Sequence, residues 1–367
     1  MSSPRPRPGI LEIVPYVGGK SAVGGSAPVA KLSSNESPLG PSPRAMEAYR
    51  KLVVDLHRYP DGGSAQLRHA IARRHNLDPE LIVCGAGSDE LISLLVRAYA
   101  GPGDEVLYSR HGFLMYPLAA LSAGAVPVTA PELGLRADVD ALLSKVTTRT
   151  RLVFLANPNN PTGSYLTGAE LCRLREGLPK DVILAVDAAY AEYAEAEDYD
   201  SGLELAGSSP NTVMLRTFSK LYGLAALRLG WLTAAPGMID VLNRVRGPFN
   251  VSLPAQAAGV AALADETHAE AARVHNRTWL PWVSRELATL GLHVHPSLGN
   301  FVLVEFPKGA GRDAAAANAY LEAEGVIPRQ MGAYGLPDCL RISIGLEPEN
   351  RRLVAALAGF MTHRPHA

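Results

Sequence analysis

The chain has 367 residues, with 35 Lys+Arg against 36 Asp+Glu and a formal net charge of −1. At 47% apolar and 19% charged residues, disorder of the whole chain is excluded, and surface scaling lets a chain of this length bury roughly three quarters of its unfolded surface without staples. The near-zero charge argues against nucleic acid or an anionic membrane as the main partner, and the length predicts two or three domains.

Residues 1 to about 30 are rich in Pro, Gly and Ser, with a short apolar patch at Ile10 to Val17. They read as an arm that packs on something larger. The basic start MSSPRPRPG is followed by no apolar h-region, so a secretory leader is not expected. From about residue 45 strands and helices alternate. Leu81 to Cys84 reads as a strand, Gly85 to Glu90 as a turn, and the apolar run to about Ala100 as a helix. Glu105 to Tyr108 and Ala125 to Thr129 read as strands flanking a helix over Met115 to Ala123. Further strands are predicted at Arg151 to Ala156, Val182 to Val186 and Thr212 to Thr217. Apolar strands at this spacing imply a largely parallel sheet covered by helices on both faces.

After Pro254 an Ala-rich helical stretch is predicted to run towards Gly291, with Pro281 as a kink or break. Strands at Asn300 to Phe306 and Leu340 to Ile344, and helices at Asp313 to Glu324 and Glu349 to Thr362, suggest a smaller α+β domain. Two uncharged stretches, His111 to Pro131 and Gly247 to Ala264, are broken by Pro117, Pro127, Asn250, Pro254 and Gln256. Neither is the ~20-residue apolar run that spans a bilayer. Cys84, Cys172 and Cys339 lie far apart, without CxxC or Cys/His spacing, so no disulfide framework and no metal are expected. Reduced thiols in a cytoplasmic protein fit best.

Three polar groups stand at predicted strand ends: Asn160, Asp187 and Lys220. Taken singly, Asn160 in NPNNPTG is a turn former, Asp187 a helix cap and Lys220 a surface lysine. Open α/β sheets bind ligands beyond the carboxyl ends of their strands, so together the three converge on one crevice. Pyridoxal phosphate suits this trio. Its aldehyde needs a lysine amine for a Schiff base, and its ring nitrogen a carboxylate. Its phosphate needs a helix N-terminus with hydroxyls and a cation. Gly87-Ser88-Asp89 opens a helix, Ser219 sits beside the lysine, and Arg228 lies eight residues beyond it. Ser88 alone could simply be an N-cap.

Ala156-Asn-Pro-Asn-Asn-Pro-Thr-Gly163, Val186-Asp-Ala-Ala-Tyr190 and the Thr217 to Arg228 segment resemble the signature set of fold-type I aminotransferases. Leu32 to Pro41, Arg58-Tyr-Pro-Asp61, His111 to Tyr116, Gly325 to Pro337 and Leu340 to Gly345 are similar, more narrowly, to the histidinol-phosphate aminotransferase family. The resemblance implies an α/β fold: an N-terminal arm (1–33), a large cofactor-binding domain (34–258) and a small C-terminal domain (259–367). It implies pyridoxal 5'-phosphate linked to Lys220, with Asp187 at the pyridinium and Tyr190 and Asn160 at the ring oxygen. Phe113 would stack on the ring, where many relatives have tyrosine. Backbone amides of Gly87, Ser88 and Asp89, with Ser219 and Arg228, would hold the phosphate. Tyr59 would reach the phosphate of a neighbouring subunit, making a homodimer with shared sites. Arg341, helped by Arg329, would bind substrate anions, with Asn35 in the substrate-binding set. The bland reading of the two arginines is surface salt bridges. Ser37, Ala226 and Pro328 depart from the family pattern.

The implied reaction is ping-pong amino transfer between a small-molecule donor and a 2-oxo acid. L-Histidinol phosphate with 2-oxoglutarate is the favoured pair. An aromatic amino-acid aminotransferase, a phospho-amino-acid decarboxylase and a non-catalytic cofactor-binding regulator are the alternatives.

Overall fold

The computed structural model describes residues 4–22, 29–309 and 311–362. Of the predicted arm, residues 1–3 and 23–28 lie outside the described residues, as do 310 and 363–367 of the predicted small domain. Short apolar runs form a seven-stranded sheet: β1 (Ile82–Gly85), β2 (Glu105–Ser109), β3 (Val126–Ala130), β4 (Thr150–Ala156), β5 (Ile183–Asp187), β6 (Thr212–Thr217) and β7 (Gly230–Ala234). Their order is β1-β7-β6-β5-β4-β2-β3. Every neighbouring pair is parallel except those of β7, which runs antiparallel to both β6 and β1. The sheet is thus largely parallel, as the strand spacing predicts. Buried on both faces, its central strands read as continuous apolar runs rather than as alternation.

Helices Ser88–Tyr99, Met115–Ala123 and Pro236–Val245 cover one face, where Leu91, Leu95 and Tyr116 meet Phe154 and Leu215. Helices Val139–Ser144 and Gly168–Gly177 cover the other, with Leu142, Leu171 and Leu174 against Leu155 and Leu184. The Gly168–Gly177 helix opens on a reciprocal capping box between Thr167 and Glu170, which satisfies two otherwise orphaned amides.

The C-terminal part carries a four-stranded antiparallel sheet in the order His293–His295, Phe301–Glu305, Cys339–Ser343, Arg329–Gln330. Val302 and Val304 pack with Leu287, Leu321 and Leu357 on one face. Leu303 meets Met331 and Tyr334 on the other. The N-terminal segment is stitched to this part, because Ala30–Lys31 pairs in parallel with Val326–Ile327.

The stretch after Pro254 differs from expectation. It forms two helices, Leu253–Leu263 and Glu266–Thr289, and the second continues through Pro281. The interruption falls at Ala264-Asp265, where Asp265 caps the new helix. Pro281 is tolerated because it and Arg277, whose carbonyl loses its partner, both face solvent. Residue 258 lies within the Leu253–Leu263 helix. All three cysteines are free thiols, with Cys84 and Cys339 buried and Cys172 exposed.

Candidate active site

The carboxyl ends of five parallel strands meet at one crevice, as open α/β sheets require. β1 leads to Gly87, Ser88 and Asp89, β2 to Phe113, β4 to Asn160, β5 to Asp187 and Tyr190, and β6 to Ser219 and Lys220. A cavity of about 210 Å³ is lined by Ser88, Asp89, Phe113, Asn160, Asp187, Tyr190, Ser219, Lys220, Arg228, Arg329 and Arg341. Sequence reasoning had named each of these residues.

At the cavity floor, Asp187 Oδ2 accepts a 2.9 Å hydrogen bond from the Tyr116 hydroxyl. Its other oxygen, Oδ1, is buried without a partner. Burial pushes the carboxyl up to about 6, against the lowering effects of Tyr116 and Lys220. Tyr116 is itself fixed, stacked on Phe154 at 4.7 Å and edge-on to Phe113 at 6.0 Å. Lys220 Nζ donates to the Ser34 carbonyl at 3.2 Å and lies 5.6 Å from the Tyr190 ring centre. Burial, helped by the charge of Arg341, brings this amine down to about 8.

Behind Tyr190 stands Asn35, fully buried, whose amide donates to the Tyr190 hydroxyl at 2.8 Å. Asn35 is held in turn by Ser343 and Asn300. It orients Tyr190 rather than lining the cavity.

At one end of the cavity Gly87, at φ 83°, turns the chain into the Ser88–Tyr99 helix. A Cβ there would stand 3.0 Å from Arg228 Cζ, so glycine alone lets the backbone approach the guanidinium. Arg228 contacts Ser219 Oγ at 3.4 Å and Asp89 Oδ2 at 2.9 Å. Helix amides, a hydroxyl and a cation therefore converge where an anion would sit.

The other end holds the two arginines, which are register partners on adjacent strands. Arg341 is buried. It donates to the Ser33 carbonyl at 2.8 Å and to Asn160 Oδ1, lies 5.6 Å from the Phe301 ring centre, and leaves Nε without a partner. Arg329 donates to the Val17 carbonyl at 2.6 Å and lies 5.8 Å from the Tyr16 ring centre. Their hydrogen bonds go to carbonyls and an amide, not to carboxylates, which removes the surface-salt-bridge reading. Two like charges facing each other across a strand pair favour an anion between them.

Tyr59 stands apart from this cavity, exposed and stacked on Phe249 at 4.7 Å. Sequence reasoning missed Tyr116, Tyr16 and the Ser33 and Ser34 carbonyls. Tyr116 had a signal: it closes the His111 to Tyr116 segment that resembles the family, three residues after Phe113.

The unpartnered Asp187 Oδ1 wants a cation, the weakened Lys220 amine an electrophile, and the Gly87 turn an anion. Pyridoxal phosphate meets all three in one molecule, and the residues present fit it. The fold and site are therefore those of a pyridoxal-phosphate enzyme of fold type I. Residues 27–357 match the family model "Aminotransferase class I and II". A histidinol-phosphate aminotransferase of Paramagnetospirillum magneticum is 58% identical over 361 residues, covering 98% of this chain and 99% of that protein. One from Rhodospirillum rubrum is 55% identical over 358 residues, covering 98% and 97%. The solved histidinol-phosphate aminotransferase of Sinorhizobium meliloti, in complex with pyridoxal-5'-phosphate, superposes with a TM-score of 0.84 at 33% identity, covering 90% of each chain. The chain belongs to the class I and II aminotransferases, in the histidinol-phosphate aminotransferase family.

Proposed function

We propose that the protein transfers the amino group of L-histidinol phosphate to 2-oxoglutarate, giving imidazole acetol phosphate and L-glutamate, as a step of histidine biosynthesis. The observation that carries this reading is the Arg329–Arg341 pair, opposed across two strands and open to the cavity that holds Lys220. Histidinol phosphate has no carboxylate, so its phosphate must supply the anchor. The same forks accept the carboxylate of 2-oxoglutarate.

Bound pyridoxal phosphate supplies an aldehyde for the amino group and an electron-withdrawing ring. Phe113 would cover a ring face. Asp187 Oδ1 would keep a proton on the ring nitrogen, with Tyr116 holding the carboxylate in place for that task. The amides of Ser88 and Asp89, with Ser219 and Arg228, would bind the phosphate. With its pKa brought down to about 8 by burial, Lys220 loses its proton far more readily than an ordinary lysine, which favours its action as a nucleophile. Once free of the cofactor, the same amine would carry the proton from the substrate's amine-bearing carbon to the carbon of the cofactor's former aldehyde.

Single-turnover kinetics with histidinol phosphate, histidinol, phenylalanine and tyrosine test the substrate. Histidinol phosphate should far outperform the others. Arg341→Ala should lose ~10–150-fold in kcat/KM for both histidinol phosphate and 2-oxoglutarate while retaining cofactor, because a charge-assisted contact is worth ~1.5–3 kcal/mol. Faster turnover of phenylalanine or tyrosine would make it an aromatic aminotransferase. Release of carbon dioxide from a phosphorylated amino acid would overturn amino transfer altogether.

We infer further a cytoplasmic homodimer with shared sites, built from an arm (1–33), a large domain (34–258) and a small domain (259–367). Exposed Leu11, Val14 and Val17 on the arm, and Val53, Val54, Leu56 and Tyr59, support a partner surface. Among the described residues no helix is long and apolar enough to cross a membrane. Mixing inactive Tyr59→Ala with inactive Lys220→Ala protein should restore activity through hybrid dimers with one intact site. A fully active monomer by light scattering refutes the dimer.

A further inference from the structure

We propose that the protein carries a second, non-catalytic site, for a zinc-class divalent transition-metal ion, at the outer edge of the small sheet, made by His293, His295 and Glu305. Strand alternation puts His293 and His295 on one face and Val294 on the other, where it packs into the apolar core. Strand pairing sets Glu305 directly opposite His293, on that same face. The three side chains offer ligand atoms all within 4.8 Å of one another, the one such group among the described residues. The imidazole rings lie 4.5 Å apart and mutually perpendicular.

His295 supplies an independent observation. Its Nε2 is buried without a hydrogen bond, 3.6 Å from Glu305 Oε2. A buried imidazole nitrogen is ordinarily satisfied, and an ion between these groups would satisfy this one. Zinc holds imidazole and carboxylate ligands at about 2.0–2.2 Å, which puts tetrahedral ligands about 3.3–3.5 Å apart. Closing the set to that spacing would take rotation of the exposed His293 and Glu305 side chains. Two imidazoles and one carboxylate select zinc, nickel or copper over magnesium or calcium, which prefer all-oxygen shells. With three protein ligands, water would fill the fourth position.

Sequence spacing gave no hint of this site, because Glu305 joins the HVH segment only through strand pairing. Just past His295, the Leu298 amide donates to the Gly163 carbonyl at 3.0 Å, tying this edge to the turn that carries Asn160. The ion therefore braces the sheet edge without entering the catalytic cavity.

The test uses tag-free, cofactor-loaded protein stripped with EDTA and titrated with zinc chloride alone. One equivalent per chain should bind, and at about 100-fold excess over the dissociation constant the Tm should rise by a few degrees. Cobalt in place of zinc should give the intense visible bands of a tetrahedral site. His293→Ala and Glu305→Gln should each weaken zinc binding by at least ~10–100-fold. Both should keep the Tm and turnover of the zinc-free parent, which shows that they fold. An unchanged stoichiometry and Tm shift in both variants would overturn the site. So would the absence of any zinc-dependent shift in the parent at about 0.1 mM metal.

Discussion

At the floor of the cavity Asp187 and Tyr116 are buried in the large sheet and braced by Phe154. At its mouth Arg329 is held by the arm, through one carbonyl of Val17 and the face of Tyr16. Near those contacts the arm leaves Leu11, Val14 and Val17 in solvent. The floor groups sit at the ends of buried strands and are held by the Tyr116 hydrogen bond and the Phe154 stack, so the carboxylate is preorganised before the cofactor binds. Arg329 sits on a short edge strand and meets a thinly anchored segment, whereas Arg341 is buried on the inner strand beside it. Chemistry common to all substrates is thus assigned to the rigid part, and selection between substrates to a part that can adjust.

The largest effect should come from Lys220→Ala. It removes the proposed nucleophile and proton carrier, and kcat should fall by more than ~10³–10⁴-fold. Borohydride reduction, digestion and mass spectrometry should find a pyridoxyl adduct on Lys220 in the parent and none in the variant. An adduct on another lysine would relocate the floor.

Asp187→Asn should come next, and it separates catalysis from stability. The carboxyl stands at about 6 in the fold against an ordinary 3.8. The fold therefore binds this proton more tightly than the unfolded chain does. In the cofactor-free protein the resulting stability is fully present below about 3.8 and is lost as pH rises through about 6. Asparagine can still accept from Tyr116 but carries no charge to desolvate. The cofactor-free variant should therefore melt higher than the parent at pH 7.5, and the difference should vanish near pH 4. Its turnover should nonetheless fall by ~10²–10³-fold, the usual scale for losing one preorganised electrostatic partner. Thermal melts across this pH range check the first claim and steady-state rates the second. A cofactor-free Asp187→Asn protein that melts lower at pH 7.5 would mean that the floor carboxylate is structural.

Most of the floor could be read from the chain because each of its groups follows an apolar strand within a few residues. NPNNPTG, VDAAY and TFSK mark their own positions. The mouth was half legible. Arg329 and Arg341 were named, but their adjacency comes from strand register between segments with no local signature. The arm's hold on Arg329 comes partly from a backbone carbonyl, which leaves no trace in side-chain identity, and partly from the Tyr16 ring, which no local motif marks. Strand Gly230–Ala234 went unread because it directly follows the Arg228 segment and opens on Gly230, which reads as a break rather than as the start of a strand. Its antiparallel direction could not be inferred from spacing that otherwise repeats parallel units. Pro281 misled for a physical reason, since a proline on the wet side of a long helix breaks nothing that water cannot replace.

The smallest effect should come from Tyr16→Ala, and it sharpens the contrast most. The Tyr16 ring lines the cavity and lies 5.8 Å from the Arg329 guanidinium, an arrangement worth ~0.5–1 kcal/mol at an exposed site. Its loss frees a guanidinium that the Val17 carbonyl still tethers, because that bond is made by backbone and survives the substitution. The energy lost acts on how the substrate anion is met, not on proton transfer at Lys220. Steady-state kinetics should therefore show KM for histidinol phosphate rising by ~2–5-fold with kcat unchanged. Tyr16→Phe keeps the ring and should behave as the parent. A fall in kcat comparable to that of Arg341→Ala would show that the arm shapes the reacting groups themselves, and the division between a rigid floor and an adjustable mouth would fail.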